Sequence, residues 1–333
     1  MQMQTQGAAK GSAPKDFGGY AQKYGILIAL VLACGVLALI NDNFLSTRNI
    51  LNVLRQTSIN GVLAIGMTFV ILTRGIDLSV GSVVALSGVV AASFATTSTA
   101  GFIPGAPYPA VIALAIGVAA GMLAGSVSGL IVARFRVPAF VATLGMLSAA
   151  RGLTLLYSGG RPIPALTDAF RWIGTGDVLG VPVPIFVLLA TFAVAHFVLT
   201  QTRFGRHVYA VGGNPHAAKV SGLPVNRIRF AVYVISGGLA GLAGMILAAR
   251  TGSALPQAGI AYELDAIAAV VIGGTSLAGG VGRVSGTLIG ALLIGVMNNG
   301  LDLMGVESYY QQVIKGILIV AAVMLDQSKN KQD

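Results

Sequence analysis

The chain has 333 residues, of which 55% are hydrophobic and only 10% charged, and its mean hydropathy is +0.82. Soluble proteins carry about 25% charged residues, so this composition excludes an ordinary soluble globular protein and describes an all-α polytopic membrane protein. The formal net charge of +10 does not point to nucleic acid, because most Lys and Arg lie in short loops beside apolar runs, where topology and anionic lipid account for them.

Residues 1–24 are polar and read as a flexible cytoplasmic tail. Gly25 to Ile40 is the first apolar run. The Asn41-Asp42-Asn43 after it lacks a small-residue cleavage site, so it reads as an uncleaved span. Leu45 to Arg55 is an amphipathic lead-in to a short apolar segment, Ile59 to Leu72, so the second span starts before Ile59, and Val80 to Phe94 follows. Thr96 to Pro109 is an uncharged external loop, Ala110 to Val132 a full span, and Pro138 to Tyr157 the next. Ser158 to Gly180 forms an external loop before the span Val181 to Leu199.

Residues 200–229 then carry Arg203, Arg206, Lys219, Arg227 and Arg229 with no acidic residue. Such an excess marks the cytoplasmic side. Within this loop Gly212-Gly213-Asn214-Pro215 reads as a turn with Pro at the first helical position, so His216 to Val220 forms a short surface helix that could seat a soluble partner. Phe230 to Ala249 spans again, whereas Leu264 to Gly274 has only about half of the ~20 residues a crossing needs and reads as broken or re-entrant. Val284 to Asn298 and Gln311 to Leu325 complete about ten membrane segments, with both termini cytoplasmic and a short tail at 327–333.

Gly117, Gly121, Gly125 and Gly129 recur every four residues, as do Gly282, Gly286 and Gly290, and such faces let helix backbones approach closely. The two broken regions resemble each other, Ile76-Asp77 before Val83-Val84 and Leu264-Asp265 before Val270-Val271, which reads as a weak internal duplication. Asp77 and Asp265 are costly beside apolar segments and so mark candidate sites. The alternative is that each caps a helix, as Asp77 could for the Leu78-Ser79-Val80 start. Gln56, Asn60 and Thr68 share one face of the second span, suited to hydrogen-bonding a polyol in transit, and Asn298 and Asn299 add amides. Interhelical hydrogen bonding is the plainer reading of each.

Cys34 has no partner for a disulfide or cysteine-rich metal site, and His196, His207 and His216 form no zinc spacing, so no metal is assigned. There is no G-x-x-x-x-G-K-[S/T], G-x-S-x-G or H-E-x-x-H, and no Gly-Lys dipeptide at all. If ATP drives transport, it is hydrolysed on another subunit.

Three blocks carry a family resemblance: Gly66-Met67-Thr68 on to Gly75-Ile76-Asp77-Leu78-Ser79-Val80-Gly81-Ser82, the loop Gly212-Gly213-Asn214 with Ala217, Ala218, Ser221 and Gly222, and Tyr262 to Val271 followed by Gly273-Gly274-Thr275-Ser276. They resemble the ribose-type sugar permeases of bacterial ABC importers, the monosaccharide branch of the branched-chain amino acid/ribose permease superfamily. The similarity runs over roughly residues 25–326, the permease domain.

The resemblance implies a non-catalytic inner-membrane subunit, usually a homodimer. Its partners would be an ATP-binding cassette subunit, which holds the ATP and Mg, and a periplasmic sugar-binding protein. It places Gly212, Gly213, Asn214, Ala217, Ala218, Ser221 and Gly222 in the segment that seats in the ATPase, and Trp172, Gln257 and Glu263 against the binding protein; the polar residues Gln56, Asn60, Thr68, Asp77, Ser79, Asp265, Asn298 and Asn299 are then the candidates for the substrate pathway. Arg74 departs from the family, where a small residue often precedes Gly-Ile-Asp, and whether its turn is cytoplasmic or a pore feature stays open. Within the same class nucleosides, a signalling sugar or branched-chain amino acids are alternative cargoes. An ion-coupled secondary carrier is a more distant reading, disfavoured by the sparse intramembrane acids.

Overall fold

In the computed structural model, which describes residues 17–98 and 103–330, helix starts follow local chemistry. The 26-residue helix α2 (Thr47–Leu72) begins where the Ser46 hydroxyl accepts the Asn49 N–H. The short helix α9 (Pro215–Val220) begins where the Asn214 side chain accepts the His216 and Ala217 N–H groups, with Pro215 at its first position as the sequence suggests. The other helices are α1 (Phe17–Ile40), α3 (Val80–Ala95), α4 (Ala110–Arg134), α5 (Ala139–Ser158), α6 (Asp168–Thr175), α7 (Val183–Gln201), α8 (Arg203–Gly213), α10 (Val225–Thr251), α11 (Tyr262–Ile272), α12 (Val284–Leu303) and α13 (Ser308–Asn330).

Five of these, α4, α5, α7, α10 and α12, are long and apolar enough to cross a membrane, and Gly25–Ile40 and Val80–Ala95 are shorter apolar helices. The chain is a multi-pass membrane protein. α10 and α12 bury more than half of their apolar windows and α4, α5 and α7 less than a third, so the first two form the interior. α10 packs most extensively on α4, then on α3 and α2. Its contact with α4 is glycine on glycine: a Cβ at Gly121 would overlap the Gly237 carbonyl, and one at Gly237 would overlap that of Gly121. The four-residue glycine spacing thus serves close backbone approach.

Several sequence expectations change. The second segment starts before Ile59, as expected, and reaches back to Thr47, through most of the stretch read as an amphipathic lead-in. Arg48, Arg55, Gln56 and Thr57 interrupt its hydropathy but not its helix, and every residue from Thr57 to Leu72 is buried. Helix α1 begins at Phe17, inside the stretch read as a flexible tail, and α13 runs on to Asn330, into the stretch read as the second tail; residues 1–16 and 331–333 lie outside the described residues. The loop Ser158 to Gly180 contains α6, and it enters a two-residue antiparallel ribbon, β1 (Asp177–Val178) and β2 (Val181–Pro182), within an otherwise helical fold. Its turn has positive φ at both Leu179 and Gly180, the geometry that matches strand twist.

The internal resemblance also takes a different register. Asp77 follows the end of α2, whereas Asp265 lies in the first turn of α11, so the two are not equivalent. The matching feature is how the two helices end. Arg74 N–H and Gly75 N–H return to the Ile71 and Val70 carbonyls, and Gly274 N–H and Thr275 N–H return to those of Val271 and Val270. Arg74 and Gly274 both have positive φ. An aspartate precedes two valines in both regions, by six residues in the first and five in the second, but Asp77 lies in the turn between α2 and α3 and Asp265 inside the first turn of α11.

Asp77 is 1% exposed. One carboxylate oxygen accepts the Ser79 N–H at 3.0 Å and the Ser79 hydroxyl at 2.6 Å, and the other accepts the Ser236 hydroxyl of α10 at 2.9 Å. It braces the turn into α3 and ties that turn to α10, but it does not cap α3, whose N-cap is Ser79 without a side-chain cap bond. A buried carboxylate persists only when bonded in this way. Asp77→Ala leaves these donors without an acceptor and is expected to destabilise the protein by about 1–3 kcal/mol, whereas Asp77→Asn can still bond both serines and should lose much less. Thermal unfolding of the two variants in detergent checks this; equal losses would contradict the clamp.

Candidate functional site

Helices α2, α10, α11, α12 and α13 enclose a polar cavity of about 120 Å³, lined by Gln56, Asn60, Asp265, Asn298, Arg250 and Lys315 among others. At its centre Lys315 Nζ donates to Asp265 Oδ2 at 3.0 Å. The same oxygen lies 3.5 Å from the Asn60 amide, and Asn298 also hydrogen-bonds the carboxylate. The side-chain oxygen of Asn298 is buried and has no donor. Removing two charges from water is offset only by pairing and further hydrogen bonds, which Asn60 and Asn298 supply. The volume equals that of about four water molecules at ~30 Å³ each.

Four expected pathway residues, Gln56, Asn60, Asp265 and Asn298, therefore meet in one place. The other four are elsewhere. Thr68, eight residues along α2 from Asn60 and hence ~12 Å away, shares its hydroxyl with Thr287 of α12 at 2.8 Å. Asn299 exchanges both amide bonds with Asn49 at 2.9 Å, which is interhelical pairing. Asp77 and Ser79 belong to the clamp near the opposite end of α2. Reading α13 as one apolar run missed Lys315, although a lysine amid apolar residues is itself a signal of a functional site. Arg250, Tyr262, Asp302 and Gln311, which also line the cavity, went unread because their contacts join distant parts of the chain.

At the far end of α2, the segment after α7 folds as two helices rather than one. The Thr202 hydroxyl starts α8 by accepting the Gly205 N–H at 3.2 Å, and the three glycines of α8 had concealed it. α8 is fastened to the core. The Arg74 guanidinium donates to the Gly212 and Gly213 carbonyls, the Gly280 N–H to the Leu72 carbonyl at 3.0 Å, and the Tyr209 hydroxyl to the Gly282 carbonyl at 2.9 Å. A Cβ at Gly212 would overlap the Leu72 carbonyl. Burial raises the pKa of the Tyr209 phenol, with Arg283 partly opposing the shift, so this hydroxyl stays a donor. Gly213, Asn214, Ala217, Ser221 and Gly222 are exposed and Ala218 is buried beneath them. The Arg74 turn thus belongs to the face that carries α8 and α9.

Trp172 on α6 and Gln257 in the α10–α11 link are exposed, and α6 packs at the other end of α10, where Gly174 meets Ala249 and Arg250. Glu263 is half-buried in the field of Arg151. Arg151 also holds the link by donating to the Pro256 and Ala258 carbonyls at 2.6 and 2.9 Å. Among the described residues no group of His, Cys, Asp and Glu could hold a metal ion.

The chain is 50% identical to the ribose import permease protein RbsC of Escherichia coli, over 91% of this chain and 93% of that one. It is 38% identical to the L-arabinose ABC transporter permease protein AraH of Azospirillum brasilense, covering 92% and 88% of the two chains, and 38% identical to the D-allose transport system permease protein AlsC of Escherichia coli, covering 96% and 95%. No solved structure matches it. The family model for the permease component of branched-chain amino acid transport systems matches residues 49–323, and the chain belongs to that permease family.

Proposed function

We propose that the chain is the membrane subunit of an ATP-driven, binding-protein-dependent importer of a monosaccharide, ribose or a related pentose, hexose or polyol. The observation that carries this reading is the half-identity with a ribose import permease along nine-tenths of both chains. The cavity supplies the chemistry: Asn60, Gln56 and the unpaired Asn298 oxygen around an ion pair suit hydroxyl groups, which both donate and accept. The subunit itself is non-catalytic. ATP and Mg belong to a separate ATPase, whose docking site is the face of α8 and α9 exposed at Gly213, Asn214, Ala217, Ser221 and Gly222 and supported from beneath by the buried Gly212 and Ala218. Trp172, Gln257 and Glu263 lie at the other end, where a loaded binding protein would deliver the sugar.

In this reading the protein sits in a bacterial inner membrane with about ten membrane segments and both termini cytoplasmic, and it pairs with a second permease copy. Asp265, Asn60, Gln56 and Asn298 act on the substrate together with Lys315. Thr68, Asp77, Ser79 and Asn299 hold the surrounding helices in place. The equivalent ends of α2 and α11 support an internal duplication in the register of Arg74 and Gly274.

Uptake of labelled pentoses, hexoses and inositol into proteoliposomes, containing the chain with its ATPase and binding protein, tests the reading. ATP-dependent accumulation of one sugar is expected; accumulation without ATP would favour an ion-coupled carrier. Asn60→Leu should lower uptake about fivefold, the equivalent of one hydrogen bond of ~1 kcal/mol, with assembly and basal ATP hydrolysis intact, and unaltered uptake would remove Asn60 from the pathway. A side chain at Gly213 meets open space, so Gly213→Asp, or an insertion after Ala218, should leave the bundle folded while hydrolysis no longer drives uptake. Unchanged coupling would exclude this face as the ATPase contact.

A further inference from the structure

Basic side chains from separate loops converge on one cavity beside α9. It has a volume of about 710 Å³ and is lined by Arg136 of the α4–α5 link, Lys219 of α9, and Arg227 and Arg229 of α10, with no Asp or Glu in its lining. Neither salt bridge among the described residues involves any of the four. Topology requires basic residues in these loops, but it does not require them to face one concavity. The starts of α5 and α10 open onto the same space through Pro138, Ala139, Pro224 and Val225, and neither helix has a side-chain cap. Free backbone N–H groups and two positive dipole ends add to the field.

The floor provides an independent observation. Tyr233 is 0% exposed, yet its hydroxyl has no hydrogen-bond partner. That hydroxyl lies beside Gly75, and both residues line the cavity. The carboxylate behind it, Asp77, is outside the lining and has both oxygens engaged by Ser79 and Ser236. A buried donor without an acceptor, below four unpaired cations, calls for an anion with several acceptor oxygens.

We propose that this cavity binds a phosphoryl group, borne on a small organic molecule or on a lipid headgroup. Its volume falls among small-molecule sites of about 300–1,000 Å³ and exceeds what a bare ion fills. Arginine forks match phosphoryl oxygens two at a time. Resting on the importer reading, the soluble source is a sugar monophosphate, the product class of the phosphorylation that consumes an imported sugar. Bound against α9, it would tie the ATPase-docking segment to α10 and slow the cycle as product accumulates.

Binding of ribose 5-phosphate, ribose and inorganic phosphate to the full chain in phosphatidylcholine nanodiscs, read by calorimetry, tests the site. A second set of nanodiscs contains phosphatidylglycerol, with retained lipid read by native mass spectrometry. Ribose 5-phosphate should bind and ribose should not. The Arg136→Gln/Arg229→Gln double variant should weaken binding by at least about tenfold and Tyr233→Phe by about fivefold. Displacement of ribose 5-phosphate by phosphatidylglycerol, with less lipid retained by the same variants, would support the site and identify the headgroup as its source. No saturable binding of any phosphoryl probe together with no retained lipid, or equal affinity in wild type and both variants, would overturn it. Uptake by the same protein in proteoliposomes, with its ATPase and binding protein, separates the two readings: sugar uptake without phosphoryl binding removes this site alone, and phosphoryl binding without uptake of any sugar removes the importer reading alone.

Discussion

Helix α2 is buried on every side from Thr57 to Leu72, and the rest of the bundle is arranged to make that possible. α10, α12, α11 and α7 sheathe it. They approach closely because glycines stand where helices meet, as where Gly295 of α12 faces Thr57 and Gly66 of α2 faces Ser236 of α10. At 1.5 Å per residue, the helix extends about 39 Å. Asn60 stands at the ion-paired cavity, and Leu72 and Arg74 stand at the face that carries α8 and α9. A close-packed interior transmits displacement rather than absorbing it, so α2 connects the two ends mechanically.

The fastening at the α8–α9 end gives that connection its specificity. Arg74 adopts a left-handed backbone conformation, which a side chain reaches only at a cost of order 1–2 kcal/mol. Its guanidinium is thereby brought to the carbonyls of Gly212 and Gly213, at the end of α8 and directly before the Asn214 cap of α9. The Gly280 N–H joins the α11–α12 loop to the Leu72 carbonyl. A shift of α8 and α9 is therefore shared between α2 and the start of α12, the two helices that carry Asn60 and Asn298 to the cavity.

Much of this was legible in the chain because its signals are local. The Asn214-Pro215 start of α9, the short α11 and the four-residue glycine faces each follow from neighbouring residues. The gathering of Gln56 and Asn60 on one face follows from helical periodicity. What the residues alone did not disclose depends on contacts across the chain. Lys315 meets Asp265 fifty residues earlier. Asp77 finds Ser236 on a helix 159 residues away, which makes it a clamp. The start of α2 was legible only as lying before Ile59, because polar residues in its first half resemble a loop by hydropathy, and only the surrounding helices give Thr57, Ser58 and Asn60 a buried place. α8 contains three glycines and forms because Thr202 caps it and Gly212 packs on Leu72.

The most direct test of α2 as the mechanical link is the number of ATP molecules hydrolysed per sugar imported by the reconstituted transporter with Arg74→Met. The side chain keeps its apolar stem and loses both bonds to α8. If α2 carries the motion, hydrolysis continues, uptake falls and the ratio rises, with thermal stability close to that of the unaltered protein. An unchanged ratio at normal uptake would contradict the account and place the transmission in another helix.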